Sequence, residues 1–143
     1  MESKAAGGFE VIEHTADAGI VAYGSDFKEL FVNAAKGLFT IIASMDNVRE
    51  TERREVEAEA PDSEALLIEW LNRLVFVFDV ENLLLKRFEI SEISDTRVRA
   101  TCFGELIDAS RHELRTGVKA ATYHALKIDH GVDGYKARVI FDL

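Results

Sequence analysis

Two stretches of the chain repeat apolar residues at the spacing of an amphipathic helix. Before the first, Asp26 precedes Glu29 by three residues, which is the spacing of a capping box, and the stripe that follows is Leu30, Phe31, Ala34, Leu38 and Ile41 or Ile42. The second begins at the only proline, Pro61, and its broader stripe is Leu66, Leu67, Trp70, Leu71, Leu74, Val75 and Phe78. We therefore predict two helices, the second of which is the main core helix.

Other segments have the alternating or β-branched pattern of strands. These are residues 9–13, 19–23, 54–60, 83–93, 96–103 and 135–143, with a hairpin expected at the polar turn Ser94-Asp95. Residues 118–128 are ambiguous, since the first half is rich in alanine and the second is strand-like at Leu126 and Ile128. The pattern predicts an α+β fold, a mainly antiparallel sheet covered by two principal helices.

The chain has 143 residues, of which 48% are hydrophobic, and neither a linker nor a repeat divides it. We expect residues 1–8 to be a flexible tail and residues 9–143 to be one domain. The start, MESKAAGG, has no apolar signal core, and no apolar run approaches the ~20 residues of a spanning helix, so a cytoplasmic location away from membranes is expected. The single cysteine, Cys102, is predicted to be a core residue.

The net charge of −9 comes from 26 acidic against 17 basic residues. This excess argues against unaided binding to a phosphate backbone, because such binding depends on clusters of cations. Residues 110–143, however, contain six Lys or Arg and only four acidic residues, so this part of the chain is mildly basic. Any RNA contact is therefore expected to be local or to be supplied by a partner.

The sequence contains no phosphate-binding loop, nucleophile elbow or His-Glu-x-x-His motif, so the common catalytic templates fail. Polar residues in apolar surroundings remain, and each has a structural alternative: Asp17 is typical of a turn, and Glu69 and Lys119 of solvated positions. Together, Asp17, Asp142 and the terminal carboxylate of Leu143 would offer the hard oxygens that suit Ca²⁺, Mg²⁺ or Mn²⁺. Histidines could favour zinc instead, although a lone core histidine is more often structural. Spacing alone leaves the function undetermined.

Six short motifs, in order and at similar spacing, resemble the archease family. They are HTAD with a following glycine (14–17, 19), AYG (22–24), EWLN with FVFD (69–72, 76–79), GE…D…RH (104–112), KAATYH (119–124) and the terminal VIFDL (139–143). The resemblance runs from Phe9 to Leu143. The chain departs from the family at Ala18, where a branched apolar residue is usual, and at Ala121, where valine is frequent.

The resemblance implies a protein that is not an enzyme but activates the GTP-dependent ligase that joins 3′-phosphate and 5′-hydroxyl RNA ends in tRNA splicing and RNA repair. Archeases promote guanylylation and multiple turnover of that ligase, so tRNA would be contacted only indirectly. Carried over by motif, Asp17 and Asp142 are metal ligands, and Leu143 contributes a main-chain or terminal oxygen. His14 and Lys119 are expected beside the metal or at the partner surface. The implied metal is a divalent ion, with calcium as the first candidate and magnesium or manganese as alternatives.

Two other classes of function stay open. The first is a chaperone or modulator of another nucleic-acid-modifying enzyme, such as a tRNA methyltransferase. The second is a metal-dependent hydrolase that uses Asp17, Asp142 and a histidine. The hydrolase is disfavoured because the sequence has no recognisable dyad that would activate a nucleophile.

Overall fold

A computed structural model describes residues 8–13 and 17–143, with the side chain of residue 13 left out. In chain order the elements are β1 (Phe9–Glu13), β2 (Asp17–Gly24), α1 (Phe27–Ile42), β3 (Glu52–Glu59), α2 (Ser63–Glu81), β4 (Leu83–Ile93), β5 (Arg97–Leu106), β6 (Ala120–Gly131) and β7 (Gly134–Asp142). The predicted tail lies outside the described residues except for Gly8, so its flexibility stays a prediction. Most predicted elements are found with ends shifted by one to three residues.

The strands form two antiparallel sheets rather than one. The first has the order β1-β2-β7-β6 and the second the order β3-β5-β4. Helix α1 packs on β1, β2 and β7 and also on β4, while α2 packs on β6 and on all three strands of the second sheet. The α+β class and the two covering helices are thus confirmed, and the helices join the two sheets through one core. Neither helix in the described residues has the length and apolar character needed to cross a membrane.

Helix α1 begins where the sequence predicts. The Asp26 side chain accepts a hydrogen bond from the Glu29 amide at 2.8 Å, and the Glu29 carboxylate accepts one from the Ser25 amide at 2.6 Å. Within the helix, a Cβ on Gly37 would lie 3.0 Å from Ile20 Cγ2 and 3.3 Å from the Phe9 ring. Glycine at this position therefore lets α1 approach the first sheet closely, at a cost of about 0.5–1 kcal/mol in helix stability relative to alanine.

Helix α2 is the central core helix, as predicted. The Asp62 side chain caps its start by accepting a hydrogen bond from the Ala65 amide at 2.8 Å. Trp70 is fully buried, and its indole N–H donates to the Phe31 carbonyl at 3.0 Å, which ties α2 to α1. Cys102 is also buried, as expected, and this burial raises the pKa of its thiol to about 12.

The ambiguous segment is the strand β6, interrupted by a bulge. Pairing with β7 is regular up to Thr122 and resumes at Lys127, and between them Ala125 adopts a left-handed conformation with φ of 53°. Three more residues stand on β6 than on β7 across this interval, so the inward and outward positions lose their alternation. The bulge explains why the sequence shows neither a clear helical nor a clear strand period there.

Helix α2 also covers the outer edge of β6. The Asn72 side chain accepts from the Ala121 amide at 2.7 Å and donates to the Ala121 carbonyl at 3.4 Å. Farther along, the Glu64 carboxylate accepts from the Ile128 amide at 3.3 Å. Two α2 side chains therefore bind main-chain groups that an edge strand would otherwise leave unpaired.

Candidate functional site

Asp17 and Asp142 are direct register partners on the two central strands of the first sheet. Asp17 is the first residue of β2 and Asp142 the last residue of β7. Directly opposed residues in an antiparallel sheet have Cβ atoms about 4.5–5.5 Å apart on the same face. The next pair, Ala18 and Phe141, is buried in the core, so the two aspartates point to the opposite face at the end of the sheet.

Two other predicted residues lie beside this pair. The Lys119 amide donates to the Asp142 carbonyl at 2.8 Å, so the lysine follows the register of β6 on the far side of β7. Leu143 continues β7 directly and packs partly against the core. The structure thus brings Asp17, Asp142, Leu143 and Lys119 to one end of the sheet. His14 lies outside the described residues.

A cavity of about 340 Å³ opens at this end, next to the last turn of α1. Asp17 and Leu143 border one side of it, and the segment that follows β5 forms another. Asp142 does not line it, in keeping with an orientation toward the other face of the sheet. Its lining residues are Val11, Asp17, Ala18, Thr40, Ile41, Arg115, Thr116 and Leu143.

Arg115 is the residue of this cavity that the sequence did not reveal. Its amide donates to the Ile42 carbonyl at 2.7 Å, and its guanidinium donates to the Thr40 carbonyl at 3.1 Å. The last carbonyls of a helix have no partner within the helix, and a cation at this end also interacts favourably with the helix dipole. Helix α1 has no basic residue in its own last turn. A distant residue supplies the donor, and helix periodicity carries no signal for such a contact.

The GE…D…RH motif forms a separate network around two buried residues. Glu105 and His112 are only 8% and 5% exposed. The Arg111 guanidinium, the Arg49 amide and His112 Nε2 all bond to the Glu105 carboxylate, the last two at 2.9 Å, and in that order of importance they lower the pKa of Glu105 to about 2. The Asp108 amide donates to His112 Nδ1 at 2.9 Å, so in a neutral ring the proton resides on Nε2.

This network fixes the segment that leads to Arg115. Arg111 also donates to the Asn47 carbonyl at 2.8 Å, and Leu114 forms an isolated bridge with Ala43 just after α1. The four motif side chains Glu105, Asp108, Arg111 and His112 do not line the cavity beside Asp17. Their hydrogen bonds tie the segment after β5 to the loop that contains Asn47 and Arg49.

The donor set at the sheet end fits a hard divalent cation. Asp17 and Asp142 supply carboxylate oxygens, and in the described part of the chain neither forms an ion pair. Across residues 8–13 and 17–143 no three His, Cys, Asp or Glu side chains cluster as a metal site would require. A metal would therefore take two side-chain carboxylates, an oxygen of Leu143, and water or partner atoms, since calcium prefers six to eight oxygen ligands.

The fold and this end of the sheet define a small α+β domain that presents a pair of carboxylates on its central strands. Residues 9–143 match the model of the Archease protein family (MTH1598/TM1083), and the chain belongs to this family. The protein archease of Methanothermobacter thermautotrophicus is 41% identical over 139 residues, covering 95% of this chain and 99% of that protein. That of Pyrococcus abyssi is 39% identical over 140 residues, covering 94% and 98%.

Two solved structures share the fold. The solution structure of Methanobacterium thermoautotrophicum protein 1598 has a TM-score of 0.81 and 41% identity, covering 96% of this chain and 99% of that one. A Thermotoga maritima archease, described as a possible chaperone, has a TM-score of 0.67 and 24% identity, covering 92% and 94%. The second likeness concerns the fold only. Membership of the family, first indicated by the motifs, is thus confirmed.

Proposed function

We propose that this protein is a non-catalytic activator of a GTP-dependent RNA ligase and that it holds a divalent metal between Asp17 and Asp142. The observation that carries the proposal is the direct pairing of these two aspartates in a member of the archease family. Activation would take the form of faster ligase guanylylation and sustained turnover during tRNA splicing and RNA repair.

The chemistry of the paired carboxylates supports a metal site. Two carboxylates that lie directly opposite each other on neighbouring strands repel, and a divalent cation bound between them removes the repulsion. Leu143 can add an oxygen, and Lys119 lies on the other side of Asp142, where its ammonium can contact a partner. When bound, the cation would supply positive charge able to attract phosphate or carboxylate oxygens of the ligase.

The charge of the molecule supports a protein partner rather than direct RNA binding. A net charge of −9 repels a polyphosphate but favours encounter with a basic ligase. RNA would then be contacted through the ligase, in the cytoplasm. The proposed role is that of a transient activator, because an acidic surface mainly raises the rate of encounter.

The direct test measures guanylylation and multiple-turnover ligation by the cognate ligase with substoichiometric amounts of this protein. We expect both rates to rise, whereas the protein alone neither joins RNA ends nor hydrolyses GTP. Robust GTP hydrolysis by the purified protein, or unchanged ligase kinetics, would contradict the proposal. Selective capture of a tRNA methyltransferase instead of the ligase would favour the alternative of a different enzyme partner.

The site is tested by Asp17→Asn and Asp142→Asn, with Asp95→Asn as a matched control at an exposed turn of the other sheet. Both site variants should lose calcium binding in titration calorimetry and lose ligase activation, and the control should keep both. Truncation of the chain after Asp142 should weaken calcium binding less, because Asp142 then carries the terminal carboxylate. Undiminished calcium binding by Asp17→Asn would refute the assignment of the ligand.

The accessory residues are tested separately. Lys119→Ala and His14→Ala should reduce ligase activation while calcium binding persists. If either variant abolishes calcium binding as completely as Asp17→Asn does, that residue belongs to the metal site itself.

A further inference from the structure

A second cavity, of about 270 Å³, lies on the other side of the last turn of α1. It is formed where the first strand of one sheet and β4 of the other sheet meet over α1, and Thr40 contributes to both cavities. Its lining residues are Phe9, Lys36, Phe39, Thr40, Met45, Leu85 and Lys86. Asp17, Asp142 and Lys119 do not line it.

The walls of this pocket are apolar and mostly fixed. Phe39 and Leu85 are fully buried, and the Phe9 ring is held against α1 by the close approach at Gly37. Met45 is half-buried and forms the adaptable part, since an unbranched thioether side chain changes shape at low cost. A preformed apolar recess with one flexible wall can accept a single aliphatic or aromatic group.

The charged residues that line the pocket are both cations. Lys86 is half-buried and its ammonium donates to the Val48 carbonyl at 3.0 Å, which fixes its position at the rim. Lys36 is exposed on α1. In the described part of the chain neither lysine forms an ion pair. Two unpaired cations beside an apolar recess stand out in a chain with a net charge of −9.

We propose that this pocket anchors a partner protein by taking one apolar side chain whose neighbouring residue is acidic. At about 270 Å³ the recess lies just below the roughly 300–1,000 Å³ that small-molecule sites usually offer, a size that suits a single side chain. Interfaces commonly concentrate their affinity in such single-residue anchors. The two lysines complement a carboxylate next to the anchor. This interaction is independent of the metal and of ligase activation.

The anchor can be tested with methionine labelling, because Met45 lies in the pocket and Met1 is the only other methionine. Protein labelled with ¹³C at the methionine methyl groups is titrated with three blocked peptides: Gly-Asp-Phe-Asp-Gly, Gly-Lys-Phe-Lys-Gly and Gly-Asp-Ala-Asp-Gly. We expect a saturable shift of the Met45 methyl signal with the first peptide. The second should bind at least tenfold more weakly, and the third should cause no saturable shift.

Charge-reversed variants locate the carboxylate contact. Lys36→Glu should weaken binding of the Asp-Phe-Asp peptide two- to fivefold, as expected for an exposed ion pair, and Lys86→Glu should do the same. Lys28→Glu is the matched control, since Lys28 is an exposed residue of the same helix outside the pocket, and it should leave the affinity unchanged.

Three results would overturn the proposal: an unchanged Met45 signal, equal responses to all three peptides, or equal effects of Lys36→Glu and Lys28→Glu. Phenylacetate binding as tightly as the peptide would overturn the assignment to a partner protein and identify a free amphipathic anion instead. Because no ligase is present, a negative result leaves the proposed ligase activation untouched. A failure of activation likewise leaves the peptide result intact.

Discussion

The substitution Asp17→Asn should stabilise the metal-free protein, but it should make the protein less stable than the parent when calcium is present. Without metal, two carboxylates directly opposed across β2 and β7 disfavour the fold, and cross-strand charge pairs contribute about 0.2–1 kcal/mol. Asparagine keeps the shape and removes one charge, so the metal-free variant should be more stable than the parent by about that amount. For a chain of this length the melting temperature should rise by roughly 1–4 °C.

With calcium the order should invert. A ligand that binds only the folded state at 100 times its Kd stabilises that state by about 2.7 kcal/mol. The parent protein gains this amount, and Asp17→Asn, which lacks one of two side-chain ligands, does not. The variant should then be less stable than the parent by roughly 2 kcal/mol, a difference of opposite sign to that in the chelator.

Urea unfolding followed by circular dichroism, once with a chelator and once with calcium in excess, measures both differences. Asp95→Asn serves as the control, because it removes one exposed acidic charge far from the paired strands in sequence, and it should shift neither curve by more than about 0.5 kcal/mol. Equal stabilisation of the parent and Asp17→Asn by calcium would refute the shared site. Destabilisation of the variant in the chelator would refute the argument from repulsion.

Three further predictions concern the core, the Glu105 network and the edge of β6. Trp70→Ala should lower the free energy of unfolding by roughly 3–5 kcal/mol, because a buried aromatic ring and its bond to Phe31 are lost; a variant with parental stability and no ligase activation would contradict a core role. For Glu105, a native pKa of about 2 against the ordinary 4.5 means that its contribution is complete above pH 4.5 and is lost as the pH falls toward 2. Glu105→Gln should therefore flatten this part of the acid-unfolding curve, and an unchanged curve would count against the network. Asn72→Ala should speed hydrogen exchange of the Ala121 amide, whose bond to the side chain is lost, and an unchanged rate would show that the edge is protected otherwise.

The elements with local signals were predictable. The Asp26 cap and the apolar stripe of α1 are encoded within a few residues of each other, and the α2 stripe around Trp70 is equally local. The division into two sheets was not predictable, because the same alternating pattern suits a strand in either sheet. The pairing of β2 with β7 depends on residues far apart in the chain, so composition and spacing only made Asp17 and Asp142 compatible with a shared site.

Arg115 shows which part of the candidate site could not be predicted from the sequence. Its contacts with α1 depend on the path of a long segment after β5, and nothing in the neighbouring sequence indicates that path. The β6 bulge could not be predicted for the same reason. Its three extra residues can be recognised only when the pairing of β6 with β7 is known. The motif resemblance added the assignment of Asp17 and Asp142 as metal ligands, which stays a prediction.

The pairing of β2 with β7 has a consequence for the order of folding. Its two aspartates are 125 residues apart in the chain, so closing this contact costs more loop entropy than any other strand pairing in the two sheets. Local units such as α1 with its cap, or the β4–β5 hairpin, can form much earlier. The carboxylate pair should therefore be assembled late. During synthesis the pair cannot form until β7 has left the ribosome, so the proposed metal site should form only after the six preceding strands have been made.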